Sequence, residues 1–172
     1  MTTKDLSKIK MLILDVDGVL TDGGIVVHSD GTESKRFNVV DGHRIVMWQR
    51  AGGLTAILSG RETQATTIRA QQLGITHVMQ GCLKKLPAFE ALLSQTELTP
   101  EEVACVGDDV MDIPLIRRAG LGIAVANAAE ELKKHADFVT LHKGGEGAVG
   151  EVIEYILKNN NKWDTLMERY WI

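Results

Sequence analysis

The chain has 172 residues, of which 44% are hydrophobic and 24% are charged. This length and composition are typical of one globular domain with a sizeable core, so we predict a single domain over residues 1–172 rather than a disordered chain. The net charge of −4 and the lack of any Lys- or Arg-rich block argue against nucleic-acid binding, although a small anionic ligand would need only a few local cations.

Six short apolar runs predict the strands of a sheet. In chain order they read MLILD, LTAILS, THVMQ, VACVG, LGIAV and DFVTL. Most are separated by about ten to fifteen residues of helical character, an alternation typical of βα units around a parallel sheet. We therefore predict an α/β fold of the Rossmann-like type, with helices on both faces of the sheet.

One segment departs from this alternation, between the first strand and the first helix. Residues 23–38 read GGIVVHSDGTESKRFN and have two extended arms around Asp30 and Gly31, a strong hairpin signal. A two-stranded hairpin is only marginally stable by itself. We predict that this hairpin protrudes and packs against another surface, for which a partner subunit is a candidate.

Two later segments carry the signals of helix starts. In TPEEV, Thr99 is a candidate N-cap, Pro100 the first helical residue and Glu102 the acid of a capping box. A final helix is predicted from about residue 148 to residue 160, because its apolar residues recur at helical spacing. The tail at about residues 161–172 has aromatic residues beside polar ones, which favours docking on a neighbouring subunit over a disordered end.

We expect a cytoplasmic protein, because the sequence shows neither a secretory signal nor a membrane span. The first ten residues lack the apolar stretch of a secretory signal, and no run approaches the roughly 18 apolar residues of a membrane span. Of the two cysteines, Cys105 lies in an apolar strand, which is typical of a reduced, buried residue rather than a catalytic one. The five histidines lack the spacing of a structural zinc site.

Two acids follow the first predicted strand directly. Residues i and i+2 of an extended chain point to the same side, so Asp15 and Asp17 should face one site while Val16 turns into the core. Ligands of open α/β sheets bind outside the carboxyl ends of the strands. Neighbouring carboxylates repel each other unless a cation neutralises them, so the pair indicates a hard divalent cation such as Mg²⁺ rather than helix caps alone.

A second acidic cluster, in VGDDVMD, follows another strand and supplies Asp108, Asp109 and Asp112. Two acidic strand ends in one parallel sheet favour a metal site more strongly than either alone.

Polar residues between the two clusters could complete an anion site. In LSGR, Ser59 offers a hydroxyl, Gly60 a closely approachable backbone and Arg61 a fork for phosphate or carboxylate. In CLKKLPAF, Lys85 offers a cation. Each feature alone is weak evidence, and it is their order along the chain that favours an anion site.

The ordered set DVDGVLTD, LSGR, LKK and GDDVMD resembles the four motifs of the haloacid dehalogenase superfamily of phosphotransferases. The resemblance implies that Asp15 attacks phosphorus to form an aspartyl phosphate, and that Asp17 protonates the leaving alcohol and then activates water. It also implies a phosphatase rather than an ion-pumping ATPase, because the pumps carry threonine where this chain has Asp17. The motif spacing leaves no room for a cap domain, so the hairpin would stand in its place.

The same resemblance implies a division of roles within the site. Ser59 and Lys85 would hold the transferring phosphoryl oxygens. The implied ligands of Mg²⁺ are Asp15, the main-chain carbonyl of Asp17 and Asp108, with Asp109 and Asp112 as supporting residues.

Over nearly its whole length the chain looks like the phosphatases that act on 3-deoxy-D-manno-octulosonate 8-phosphate, in bacterial lipopolysaccharide synthesis. The segments that carry this likeness include DVDGVLTDGGI, KRFNVVDGHRI, LSGRE, VGDDVMDIPL and GGEGAVGEVI. It implies a homotetramer whose hairpins form a central barrel and in which a neighbour's C-terminal segment closes each site. The implied contacts with the sugar-acid phosphate are Asp17, Asn38, Val39, Val40, Asp41, Gly42, Gly60, Arg61, Arg69 and Lys85.

Two features bear on the choice of substrate. The alternative is a phosphatase of a nine-carbon sugar-acid 9-phosphate or of another sugar phosphate. The nine-carbon phosphatases carry glutamate where this chain has Arg61, so the arginine favours the eight-carbon ester. The chain also departs from the family at Val46, Glu146 and Gly150, where arginine is usual or common. These departures remove cations from the region that a neighbour's tail would contact.

Two other classes of protein are alternatives. Receiver domains also combine acidic strand ends, a hydroxyl residue and lysine, but their phosphorylated aspartate ends a middle strand, where this chain has Ser59. A scaffold or regulatory module without catalysis is the other alternative, and the complete set of motif acids with Lys85 argues against it.

Overall fold

A six-stranded parallel sheet forms the centre of the computed structural model, which describes residues 4–172. Residues 1–3, the start of the segment where no secretory signal is expected, lie outside the described residues. In chain order the strands are β1 (Met11–Leu14), β2 (Val26–Val27), β3 (Glu33–Ser34), β4 (Leu54–Leu58), β5 (His77–Met79), β6 (Val103–Gly107), β7 (Leu121–Ala124) and β8 (Phe138–Val139). The sheet order is β5-β4-β1-β6-β7-β8, so each of the six predicted strands is confirmed.

Seven α-helices surround the sheet in the described chain. They are α1 (Val39–Arg50), α2 (Gln64–Gln72), α3 (Lys85–Thr96), α4 (Ile113–Ile116), α5 (Glu130–Lys133), α6 (Ala148–Asn159) and α7 (Trp163–Met167). Single 3₁₀ turns occupy Leu6–Lys8, Pro100–Glu102, Val110–Asp112 and Glu168–Tyr170. Between residues 4 and 172, no helix is both long enough and apolar enough to span a bilayer.

The two helix-start predictions differ in outcome. The final helix is confirmed, since α6 ends one residue before the predicted boundary. The capping box of Thr99 and Glu102 is also present, but it begins only a single 3₁₀ turn. A longer helix cannot form there because Val103 already belongs to β6, so the pairing of that strand in the sheet outweighs the local helix signal.

The core includes the central strand β1, all four of whose residues are buried. A strand that is covered on both faces of the sheet is apolar throughout, which explains the sequence MLIL of β1. Cys105 in β6 is also buried, and this burial raises the pKa of its thiol. Because β4, β1 and β6 lie side by side, their carboxyl ends bring three loops together at one edge of the sheet.

The predicted hairpin is present as the antiparallel pair β2 and β3. Its turn is closed by a bond from the His28 N–H to the Thr32 carbonyl (2.9 Å), and Asp30 accepts a bond from the Thr32 N–H (2.9 Å). On the first arm of the hairpin, Ile25, Val26 and Val27 are exposed.

The C-terminal tail packs on its own chain along part of its length. The Trp163 ring lies beneath the Arg44 guanidinium and the Lys158 ammonium, at 5.3 and 4.9 Å. The Tyr170 hydroxyl lies 2.9 Å from His43 Nε2 on α1. Trp171 remains 75% exposed, so docking of the last residues on a neighbouring subunit stays a prediction.

Candidate active site

A cavity of about 260 Å³ lies at the carboxyl ends of β1, β4 and β6. It joins the residues that follow these three strands with the first residue of α3. Gly23 and Met111 also line it, and neither was singled out from the sequence. The predicted residues along its wall are Asp15, Asp17, Ser59, Gly60, Arg61, Lys85, Asp108, Asp109 and Asp112.

Gly18 allows the two acidic loops to touch. Its φ is +87°, and a Cβ there would lie 2.0 Å from Asp108 Oδ2. The Thr21 hydroxyl holds the turn by accepting bonds from the N–H groups of Gly18 (3.3 Å) and Gly23 (3.2 Å). Any side chain at residue 18 would therefore push Asp108 out of the cluster, as well as strain the backbone.

Lys85 lies between two carboxylates at the bottom of the cavity. Its Nζ is 2.9 Å from Asp15 Oδ1 and 2.6 Å from Asp112 Oδ1, and the residue is 5% exposed. The second oxygen of Asp112 accepts bonds from the N–H groups of Asp108 (3.1 Å) and Asp109 (3.4 Å). Asp112 thus fixes both Lys85 and the loop that carries Asp108.

The cluster carries more negative than positive charge. Carboxylate oxygens of Asp15, Asp108 and Asp112 lie within 4.8 Å of one another, and between residues 4 and 172 Lys85 is the one cation that contacts them. Burial raises the pKa of Asp15, and Lys85 offsets only part of this effect. Burial alone would lower the pKa of Lys85, but the charges of Asp15 and Asp112 outweigh it and raise that pKa.

This donor set fits a hard divalent cation. Three carboxylates and one ammonium leave a formal excess of two negative charges, and Mg²⁺ prefers oxygen ligands. Both Asp112 oxygens already accept hydrogen bonds, whereas Asp108 makes no ion pair within the described residues. Asp15 and Asp108 are therefore the side chains best placed to bind an ion.

The outer half of the site is formed with residues of the hairpin. Asp17 Oδ1 accepts a bond from Lys35 Nζ, and Arg61 Nε lies 3.6 Å from Asp17 Oδ2. Arg61 Nη2 is also 2.6 Å from Glu33 Oε1. Glu33 and Lys35 were not predicted as site residues, although their i and i+2 spacing on one arm of the hairpin places them on the same face.

Six predicted substrate contacts lie outside this cavity within one chain. Asn38 caps α1 through the Val40 N–H (2.7 Å), and buried Asp41 accepts a bond from the Gly150 N–H (2.7 Å). Val39 and Val40 are exposed, and Gly42 leaves room for the Arg69 guanidinium. Arg69 donates to the Asn38 carbonyl (3.4 Å) and lies over the Phe37 ring (5.8 Å). The substrate role of these residues stays a prediction.

The three departures from the family pattern also lie apart from the carboxylate cluster. Glu146 and Gly150 line a separate cavity of about 500 Å³ that also includes Asn38. Val46 is half-buried against the core.

The pH dependence of stability should reveal the excess negative charge. Burial, followed by the charges of Asp15 and Asp112, raises the pKa of Asp108 from 3.8 to about 8. Folding of the metal-free protein therefore takes up a proton between about pH 4 and 8, and rising pH destabilises the fold in that window. We expect the metal-free Tm to fall by about 5 °C or more across the window, and saturating Mg²⁺ to restore most of it.

Differential scanning fluorimetry of two variants checks the source of this effect. Asp108→Asn should flatten the pH dependence and remove the response to Mg²⁺. Asp30→Asn is the matched control, because exposed Asp30 lies outside the carboxylate cluster and its side chain accepts a bond from the Thr32 N–H (2.9 Å), which asparagine can also accept. An unchanged pH slope in Asp108→Asn would contradict this reading of the cluster.

The chain is similar in sequence to known hydrolases. The family model of the haloacid dehalogenase-like hydrolases matches residues 49–153, which include Ser59, Lys85 and Asp108. The 3-deoxy-D-manno-octulosonate 8-phosphate phosphatase of Escherichia coli strain K12 is 46% identical over 156 residues, which are 91% of this chain and 83% of the relative.

Solved structures agree with the sequence comparison. A probable YrbI-family phosphatase of Pseudomonas syringae pv. phaseolica superposes with a TM-score of 0.95 at 45% identity, over 97% of this chain and 95% of that one. The 3-deoxy-D-manno-octulosonate 8-phosphate phosphatase of Moraxella catarrhalis, solved with magnesium, phosphate and KDO, superposes with a TM-score of 0.94 at 39% identity, over 96% and 95%. The chain therefore belongs to the haloacid dehalogenase-like hydrolase family, among the 3-deoxy-D-manno-octulosonate 8-phosphate phosphatases.

Proposed function

We propose that this protein is a magnesium-dependent phosphatase that hydrolyses 3-deoxy-D-manno-octulosonate 8-phosphate to the free sugar acid and phosphate, in the synthesis of lipopolysaccharide precursors. The observation that carries the proposal is the contact of Asp15 with Lys85 (2.9 Å) inside a carboxylate cluster, in a chain 46% identical to the Escherichia coli enzyme of that name.

Asp15 is the proposed nucleophile. Its carboxylate oxygen bonds to phosphorus as the bond to the sugar oxygen breaks, which leaves an aspartyl phosphate. Asp17 donates a proton to the departing oxygen and then accepts one from the water that attacks phosphorus. Phosphate leaves and the Asp15 carboxylate is regenerated, so that one difficult displacement becomes two easier ones.

The residues that would hold Mg²⁺ are Asp15, the main-chain carbonyl of Asp17, and Asp108. When bound, the ion supplies positive charge that offsets the repulsion between the substrate phosphate and the attacking carboxylate. Asp112 supports this arrangement by fixing the Asp108 loop through two N–H groups, and Asp109 supports it by capping the turn that follows.

Ser59 and Lys85 are proposed to hold the transferring phosphoryl oxygens. Both are buried on the cavity wall, where a hydroxyl and an ammonium act in a low dielectric and need little reorganisation. The Gly60 backbone lies beside them. Arg61, on the same wall, is proposed to bind the sugar carboxylate, which would have to replace the Glu33 carboxylate now at Nη2 (2.6 Å).

We propose that the site is completed in a cytoplasmic homotetramer. Exposed Ile25, Val26 and Val27 give the hairpin an apolar surface suited to a second copy, and exposed Trp171 could reach a neighbour's site. Residues 38–42 and Arg69 would then contact the substrate as parts of a site closed by the neighbour's tail. Both cysteines are free, as is usual for a reducing compartment.

A panel of sugar phosphates tests the substrate assignment. We expect kcat/KM for the eight-carbon 8-phosphate to exceed that for nine-carbon sugar-acid 9-phosphates by at least about tenfold. A longer substrate would place its carboxylate differently relative to Arg61, and loss of that one charged contact costs about 1.4 kcal/mol or more. Phosphate release with and without Mg²⁺ is the measurement. A preference for the nine-carbon ester would overturn the substrate, and no Mg²⁺-dependent release from any ester would overturn the function.

A further inference from the structure

Lys35 brings a buried cation from the hairpin to the mouth of the active site. It lies one residue beyond β3, and its side chain is only 2% exposed. Among residues 4–172, its one polar side-chain partner is the carboxylate of Asp17, through Oδ1. Burial of an ammonium is costly unless it is paired with an anion. The Asp17 carboxylate therefore stabilises the buried Lys35 ammonium, and Lys35 in turn holds the Asp17 side chain in place.

The two oxygens of Asp17 have different surroundings. Oδ1 bonds to Lys35, whereas Oδ2 is buried and has no hydrogen-bond partner within the described chain. The charged group near Oδ2 is Arg61, whose Nε lies 3.6 Å away and whose Nη2 is engaged by Glu33 (2.6 Å). A buried polar atom without a partner is unusual and indicates an absent ligand or a catalytic role. Because Asp17 lines the cavity, Oδ2 is the oxygen left for a substrate.

We propose that Lys35 is a positioning residue, which fixes Oδ1 of Asp17 so that Oδ2 faces the oxygen of the scissile phosphate ester. This inference rests on the proposed phosphatase function. As the phosphorus–oxygen bond of the ester breaks, the proton on Oδ2 passes to the departing sugar oxygen. In the second step a water proton passes to Oδ2, the water oxygen bonds to phosphorus, and the bond between phosphorus and Asp15 breaks.

The proposal gives the hairpin a role in catalysis. Its second arm contacts the site through Glu33 and Lys35, while Arg36 points away and pairs with Asp22. The hairpin would then supply part of what a cap domain supplies in larger enzymes, namely a group that orders the proton donor.

Leaving-group dependence tests this role, because only a poor leaving group needs a proton. In Lys35→Met the first-step rate for an alkyl sugar phosphate should fall about 100-fold. The burst of p-nitrophenolate from p-nitrophenyl phosphate, whose leaving group departs unprotonated, should change by less than about threefold. Lys35→Arg should recover part of the alkyl rate, and KM should stay within about threefold in both variants.

Two further variants set the reference points. Asp17→Asn should reproduce the pattern of Lys35→Met, in which the first-step rate falls for the alkyl ester but not for the aryl ester. Arg36→Met is the matched control, since it removes a cation from the same arm, but one whose side chain is 77% exposed, and it should leave both rates unchanged. The p-nitrophenolate burst also shows that a variant is folded and active. If Lys35→Met misfolds, this burst is lost, and the comparison of alkyl and aryl rates is then made with Lys35→Arg.

Three outcomes would overturn the proposal. If Lys35→Met has a normal Tm but its first-step rate falls equally on alkyl and aryl esters, Lys35 contributes to phosphoryl binding instead. A raised KM with unchanged kcat would assign Lys35 to substrate binding. An unchanged alkyl rate would remove it from the mechanism. Failure of the proposed function looks different, because wild-type protein itself would then lack Mg²⁺-dependent hydrolysis.

Discussion

Asp15→Asn should lower Mg²⁺-dependent phosphate release by about 10⁴-fold while the protein still folds. Asparagine has nearly the same shape as aspartate but lacks the carboxylate that would attack phosphorus. Lys85 keeps its contact with Asp112 (2.6 Å), so the cluster retains one ion pair. Because burial raises the pKa of Asp15, removing its charge relieves repulsion, and the metal-free Tm should not fall.

Phosphate release and Tm, measured on the same preparations, separate chemistry from folding. Asp22→Asn is the matched control, because it makes the same change in the loop that follows β1, at an exposed residue paired with Arg36. It should retain activity within about threefold. Undiminished turnover by Asp15→Asn would rule out the nucleophile assigned here.

Lys85→Met should reduce both activity and stability. The ammonium is the cation shared by Asp15 and Asp112, and its loss leaves two buried carboxylates without that partner. Breaking a buried ion pair costs about 3–5 kcal/mol, so we expect a fall in Tm of at least about 6 °C. Loss of the phosphoryl contact should reduce kcat/KM by about 10³-fold. Calorimetry and steady-state kinetics measure the two effects.

The neighbouring lysine provides a matched control for that change. Lys84 precedes Lys85, is exposed and makes no side-chain cap bond to α3. Lys84→Met should therefore change Tm by no more than about 2 °C and leave kcat/KM nearly unaltered. Similar losses in both variants would show that a general effect of charge, rather than the buried contacts, explains the result.

The sheet could be predicted because its signal is local. Each of the six strands is a short apolar run, and a strand such as β1, buried on both faces, must be apolar throughout. The segment at Thr99 shows the limit of local signals, since its capping box is present but pairing of Val103 in β6 ends the helix after one turn. The length of a helix depends on neighbours that are distant in sequence.

The inner half of the site was predictable for a related reason. Asp15 and Asp108 directly follow β1 and β6, and parallel strands place their carboxyl ends together. The outer half was not predictable, because the contact of Lys35 with Asp17 depends on how the hairpin folds back over the site. Only the alternation along its second arm suggested that Glu33 and Lys35 share a face.

The predicted contacts at residues 38–42 and Arg69 rest on family resemblance alone. In one chain these residues join the start of α1 to α2 and α6, through Arg69 with the Asn38 carbonyl and through Asp41 with the Gly150 N–H. Nothing in the spacing of these residues indicates whether a second subunit brings them to the cavity. That question depends on the surface between chains rather than on the fold of one chain.

Direct detection of the phosphorylated residue is the sharpest test of a phosphatase that works through Asp15. A single turnover with Mg²⁺ and the eight-carbon ester, quenched in acid and reduced with borohydride, converts an aspartyl phosphate to homoserine. Peptide mass spectrometry should then find homoserine at residue 15 in wild-type protein, and none in Asp15→Asn. Rapid phosphate release with no modification at Asp15, or modification at another residue, would contradict the mechanism.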